Sequence, residues 1–391
     1  MGRIGMRTVL SAAAVFVAMW VASSCTVSIS NAVDVAVGEE GACLVNTEGG
    51  VECWGQLRGL DDTVVVDYGS AAVAIREVTS GATDLTMGSG HACAIVFEQV
   101  KCWGANASGQ LGDGTYDSRR SPTGVVGLPS GDAPMKVEAF ALHTCVLLES
   151  GALWCWGLGL SGELGDGAST SSNIPVEVVG FNGSPGFRAT DFSIGKAFTC
   201  ATRPKGSVEC WGFDYLGQLG NGPGSTTSSA IPTPVPGLTD VATIHAGHGH
   251  VCSVSSAGDI HCWGANTFEA IGIGSGVLDS PTLYTGFPQN VIRISGGSLR
   301  NCVVGLDNSA ACVGRDQGGA LGSGVVGSTW LPRLVVGTDT DPVAEIDTGF
   351  DASCAVGTGG DVRCWGQGAY GQLGNGDTAN SLVPVSVIRA S

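Results

Sequence analysis

The sequence predicts an all-β fold: a seven-bladed β-propeller with four short strands and one hairpin disulfide in each blade. Three observations predict it. Fourteen of the 15 cysteines fall into seven pairs, six spaced by ten residues and one by nine. The first members of successive pairs lie 50, 52, 55, 52, 50 and 52 residues apart, so one unit is written seven times. Each unit holds four β-rich stretches between glycine-rich turns, and 63 glycines with 43% apolar residues suit strands, turns and a packed core. A β-solenoid, the competing repeat fold, uses shorter coils and needs no hairpin in every copy.

The N-terminus comes first. Arg3 and Arg7 precede an apolar run over residues 9–22, which has the pattern of a secretory signal and is short for a membrane span. Its ending, "VASSC", resembles a bacterial lipobox with Ala22 where leucine is usual, and predicts lipidation of Cys25, the one cysteine outside the pairs. The expected organisation is a signal over 1–24, a tether over 25–31 and the propeller over 32–391. Cleavage ahead of Cys25 leaves 16 basic residues against 35 acids, a formal charge of −19, which argues against a nucleic-acid partner.

Within the unit, the pairs are Cys43/Cys53, Cys93/Cys102, Cys145/Cys155, Cys200/Cys210, Cys252/Cys262, Cys302/Cys312 and Cys354/Cys364. A spacing of ten sets the cysteines opposite each other in a hairpin with a three-residue loop, whose last residue favours the left-handed region. That residue is Gly49, Gly151, Gly206, Gly258, Asn308 or Gly360. The second unit, with Phe97 and Glu98 at its tip, needs a different turn. Opposed cysteines in an exported chain predict seven hairpin disulfides. A thiolate metal site would need clustered spacings such as C-x-x-C, which the chain lacks.

After the second cysteine comes "CWG", with Trp54, Trp103, Trp156, Trp211, Trp263 and Trp365, and Val313 in the sixth copy. Alternation along a strand puts tryptophan and disulfide on opposite faces of the blade. Recurrence at one register favours packing between blades over a sugar- or base-stacking platform. Runs such as "GQLGDG" follow, and then a proline: Pro122, Pro175, Pro332 and Pro384, with Pro281 and the pair Pro232 and Pro234 slightly off register. Proline belongs at the start or edge of a strand. Stretches such as "VATIHAG" lead to the next cysteine. Residues 33–37 and 383–388 are expected to complete one shared blade.

Candidate chemistry is sparse. "GLGLSG", residues 157–162, lacks the helix and the acid of a dinucleotide site, and the "GQLGDG" runs lack the Lys-Ser/Thr ending of a phosphate loop. His91, His143 and His250 stand two before their cysteines, where other copies carry Gly41, Phe198, Arg300 and Ala352, which suggests a structural turn role. His245, His248 and His261 form the one cluster where a divalent metal is conceivable; alternation sends some of them to opposite faces, and no metal is assigned. No catalytic residue and no cofactor is assigned.

The motifs H-x-C, "CWG" and "GQLGDG", followed by a proline-led strand, together resemble the regulator of chromosome condensation repeat over residues 32–390. The resemblance implies a seven-bladed propeller and a rigid platform whose loop face binds another protein, as in a secreted β-lactamase inhibitor of related architecture. The chain departs from the repeat in three units: the first lacks the glycine run, the third has Phe140 where other copies place glycine, and the sixth has Val313. The namesake's role, nucleotide exchange on a small nuclear GTPase, gains little support, because no unit carries a long extra hairpin and the surface is acidic. The expectation is an exported, lipid-anchored, monomeric scaffold in the bacterial envelope that binds an extracellular protein or ligand. The second reading is a hydrolase or lyase at the central channel, and the third is an exchange factor.

Overall fold

Each repeat folds into one four-stranded antiparallel meander because its alternating strands can bury both faces only against neighbouring blades. The computed structural model describes residues 27–59, 63–186, 188–225, 227–274, 276–287 and 290–390. The expected signal over 1–24 and Cys25 lie outside the described residues. Counting from the channel outward, blade one uses Ala32–Val37, Gly41–Asn46, Val51–Arg58 and Val64–Ala74; blade seven uses Val343–Thr348, Ala352–Gly357, Val362–Gly366 and Ser381–Ser386. The five blades between have the same order. Among the described residues no helix is long and apolar enough to cross a membrane.

The hairpins follow the spacing. In blades one to four Cys43 opposes Cys53, Cys93 opposes Cys102, Cys145 opposes Cys155 and Cys200 opposes Cys210. In blades five to seven Cys252 opposes Cys262, Cys302 opposes Cys312 and Cys354 opposes Cys364. All seven pairs are disulfides, with Cα atoms 4.0–4.1 Å apart. The six tip residues have φ between 59° and 88°. Cys93 and Cys102 are nine apart and still face each other, because their hairpin has a shorter loop. Val96 opposes Gln99 there, so Phe97 (φ 49°) and Glu98 (φ 60°) form a two-residue loop with both residues left-handed, as in a type I′ turn.

Disulfide and tryptophan alternate as layers. Cys145 and Cys155 pack in one buried cluster with Trp211 of the next blade, Cys200 and Cys210 with Trp263, and Cys354 and Cys364 with Trp54, so the last blade meets the first as any other pair does. Cys93 and Cys102 pack likewise with Trp156, and Cys302 and Cys312 with Trp365. Cys252 and Cys262 meet Val313, which stands where the sixth copy lacks tryptophan. All six "CWG" tryptophans are fully buried. Each contributes roughly 2–3 kcal/mol of apolar burial.

Two expectations are corrected. Residues 33–37 and 383–388 do not share a blade: the first lie in the inner strand of blade one, and Ser381–Ser386 completes blade seven by itself. What crosses the seam is smaller. Ile388–Arg389 pairs with Val27–Ser28 and meets Ala72 of blade one in parallel, and Arg389 holds Glu52 through two bonds of 2.8 and 2.9 Å. A repeat that already contains four strands has no strand to lend. The prolines, in turn, do not open the outer strands. Pro122, Pro175, Pro232, Pro281, Pro332 and Pro384 each lie one residue before the partner of the second cysteine, inside a bulge in the outer strand. Pro234 is thus outside the series, and the bulge proline removes one backbone donor from each of these outer strands.

Candidate functional site

The joint between blades explains most recurring polar residues. In blade three, Trp156 donates its Nε1–H to the Gln110 carbonyl at 2.9 Å, and the Thr144 hydroxyl donates to the same oxygen at 3.0 Å. Trp211 and Thr199 do the same to Glu163, and Trp365 and Ser353 to Ala320. These carbonyls sit in the glycine runs, which are therefore sockets for the next blade's tryptophan. A Cβ on Gly165 (φ 72°) would lie 2.5 Å from Trp211 Nε1. Where the motif fails, a substitute appears. Blade one has a hairpin extension in place of the run, and its Tyr68 hydroxyl accepts from Trp103 at 2.8 Å. Blade six has Val313, and Asn301 takes the Ala270 carbonyl at 2.8 Å.

Two before the first cysteine, the side chains of His91, His143, His250 and Arg300 bridge blades, while the carbonyls of His91, His250 and Arg300 close the inner turn as the turn role expects. His91 Nε2 lies 2.9 Å from Thr144 Oγ1, His143 Nε2 3.1 Å from Thr199 Oγ1, and His250 Nε2 3.2 Å from Asn301 Oδ1. Burial depresses their pKa values to about 3, 3 and 4. Arg300, at the same position, is fully buried and donates to Ser353 and to the carbonyls of Gly349, Phe350 and Ala352.

The inner strands line the channel. Opposite the first cysteines stand Ala36, Thr86, Glu138, Ser193, His245, Ser295 and Asp347, which form one tier. Two residues earlier a second tier carries Asp34, Asp84, Lys136, Asp191, Thr243, Arg293 and Glu345. Between them, bordered by all of the first tier and by Asp34, Asp84, Lys136 and Glu345 of the second, lies a cavity of about 200 Å³. Most of this polarity is spent on the fold. Thr86, Glu138, Ser193, Ser295 and Asp347 each accept a backbone N–H from the next blade's inner strand: Ala139, Ile194, Ala246, Thr348 and Val37 in turn. Lys136 Nζ is held by Asp191 at 2.6 Å and Glu138 at 2.8 Å. Burial, and then the charges of Asp84, Glu345 and Asp347, push the Asp34 carboxyl well above the usual range, and burial lifts Asp84 to about 6.

One end of the channel is closed. The turns between first and second strands ring this mouth, and Phe350 of blade seven reaches across to stack on Phe140 of blade three, ring centroids 5.4 Å apart. His248 meets the Phe350 ring edge-on at 6.4 Å. Beside the plug lies a cavity of about 310 Å³ bordered by Glu39, Arg58, Ser89, Lys196 and Phe350. In a four-stranded meander the turns between third and outer strands emerge at the same end, and they carry exposed Tyr116, Leu160 and Tyr215. Tyr370 there lies under the Arg58 guanidinium, 4.7 Å from it.

The cluster of His245, His248 and His261 is dispersed: His245 lines the channel, His248 the mouth turn, and His261 opposes Ser253 on the third strand. Among the described residues no three His, Cys, Asp or Glu side chains converge as metal ligands. Sequence reasoning missed the two channel tiers and the plug. Its one available signal was Phe140, which breaks the column of glycines.

Comparison with known proteins gives consistent matches. A family model described as the regulator of chromosome condensation (RCC1) repeat matches residues 99–147, 150–202, 205–254 and 359–391, and a second of the same description matches 343–372. The ultraviolet-B receptor UVR8 of Arabidopsis thaliana is 26% identical over 310 residues, 78% of this chain and 69% of its own. Among solved structures, human WBSCR16 aligns with a TM-score of 0.72 at 18% identity over 85% of this chain and 88% of its own. Yeast RCC1 (Prp20), solved with Kap60 bound, also reaches 0.72 at 18% identity, over 92% and 85%.

Proposed function

The chain belongs to the regulator of chromosome condensation repeat family, and on that premise we propose that it is an exported binding propeller that grips a protein on the face around the plugged mouth. The observation that carries this reading is the closure of the mouth by Phe350 and Phe140 beneath a rim of exposed Tyr116, Leu160 and Tyr215. Exposed apolar groups on rigid loops are the anchors of protein interfaces. The channel offers a catalyst less: five of the seven side chains in one tier are engaged by backbone N–H groups, and the remaining space is about 200 Å³. Seven disulfides suit an oxidising compartment and not the cytosol where a GTPase exchange factor works. Export by the N-terminal signal and anchoring through a lipid on Cys25 complete the reading.

Photo-crosslinking in cells tests it. A benzophenone amino acid at Leu160 or Tyr215 should yield a discrete adduct, whereas one at Phe97, on the hairpin tips of the opposite face, should not. Adducts of equal yield from both faces, or from neither, would contradict the assignment.

A further inference from the structure

The outer strands hold equivalent places, so the wall can be compared blade by blade. Two residues before the outer-strand proline stand Arg120, Asn173, Ala230 and Asp279 in blades two to five, but Trp330 and Leu382 in blades six and seven. Two after it, blade three has Glu177 and blade six has Leu334. Trp330 is 55% exposed and Leu334 59%, and Val326 in the turn before their strand is 69% exposed. Exposed apolar side chains also span the two blades, since a Cβ on Gly324 would touch Val336 of blade six at 3.5 Å and Val383 of blade seven at 3.6 Å. A groove of about 340 Å³ between Leu283, Trp330 and Leu331 extends them toward blade five. Residues 320–338 and 378–390 contain no acid, in a chain with 35.

The chain leaves the ring beside this wall. Val27–Ser28 pairs with Ile388–Arg389, and Ser30 bridges to Asp361 of blade seven, so Cys25 is two residues from the seam between blades seven and one. We propose that the wall of blades six and seven docks on a lipid bilayer surface, with Trp330 at headgroup depth and the leucines and valines around it against the acyl boundary. Tryptophan, with an apolar body and one N–H, suits that depth. An acid-free apolar wall gains from such a surface, whereas a second copy of a chain with net charge −17 repels it. The tether at Cys25 raises the local concentration of bilayer, so weak intrinsic affinity suffices. Only this last point rests on the lipid-anchored reading.

The test uses residues 26–391, which hold every described strand, exported behind an unrelated cleavable leader so that neither the apolar run nor Cys25 is present. Flotation with phosphatidylcholine vesicles should carry this protein upward. The double variant Trp330→Asn, Leu334→Glu, which copies blade three at two exposed positions, should melt at the same temperature and bind at least tenfold less. Absence of flotation by the parent, equal flotation by the variant, or a dimer that the variant abolishes without any vesicle binding would each overturn the proposal. A native chain found without lipid on Cys25, while residues 26–391 still float, would remove the anchor and leave the wall standing.

Discussion

Asp84 shows how one carboxylate serves the ring at a cost set by pH. It accepts the Val137 N–H at 2.6 Å, yet burial lifts its pKa from 3.8 to about 6. A raised folded pKa means that the contribution is full below the unfolded value and is lost as pH rises through about 6. Asp84→Asn, which keeps an acceptor without the charge, should therefore melt higher at pH 8 by about 1–3 kcal/mol. The gain should shrink through pH 6 and vanish near 4; a difference independent of pH would refute the cause. The buried His91 and His143 have the opposite sign, with stability full above 6.5 and lost as pH falls toward 3. Gly165 tests the socket. Gly165→Ala, strained by its φ of 72° and by Trp211, should cost about 2–4 kcal/mol in a denaturant melt, against about 1 kcal/mol for Gly127→Ala, which has the same handedness and no neighbour within 4 Å. At this scale the sequence was half legible. Positive φ at the glycines follows from turn chemistry, but the tryptophan seated on Gly165 belongs to another repeat, and pattern within one repeat cannot show it.

Among the elements, the turn that carries Phe350 depends on its neighbour. Arg300, buried without a hydrogen-bonded carboxylate, spends its guanidinium on three carbonyls of that turn, and burial lowers its pKa to about 10. Arg300→Met removes those donors. Loss of about 2–4 kcal/mol is expected, with amide exchange at residues 349–352 accelerated and exchange at the opposite hairpin tips unchanged. Uniform acceleration would show that the turn has no special dependence on Arg300. The hairpins were legible in detail because a spacing of ten fixes both the opposed cysteines and the left-handed tip. The outer strands were less so. Proline was assigned to a strand start, and the bulge that accommodates it inside the strand depends on pairing with "CWG", which spacing alone does not specify.

For the whole molecule, closure uses the tryptophan-to-carbonyl joint at five of the seven seams, with Tyr68 and Asn301 as substitutes at the other two, plus a terminal clasp. Trp54 donates to the Gln372 carbonyl at 2.8 Å across the seam, as its counterparts do elsewhere, and Arg389 adds the ion pair with Glu52. Arg389→Ala should leave the fold intact and speed unfolding several-fold, a loss of about 1–2 kcal/mol seen in unfolding kinetics. An unchanged rate would make the clasp ornamental. The seven-fold repeat made the propeller legible, since only a closed ring satisfies so many equal four-stranded units. How the ends meet was not legible, because a shared blade and a complete one leave similar strand patterns. The account as a whole rests on a ring stapled outside the cytosol. Its most direct test is the intact mass of protein from native membranes, with thiols alkylated before and after reduction. Cleavage ahead of Cys25, attached acyl chains, no thiol labelled before reduction and fourteen labelled after it are the predicted result. Retention of residues 1–24 with fourteen thiols already labelled before reduction would contradict it.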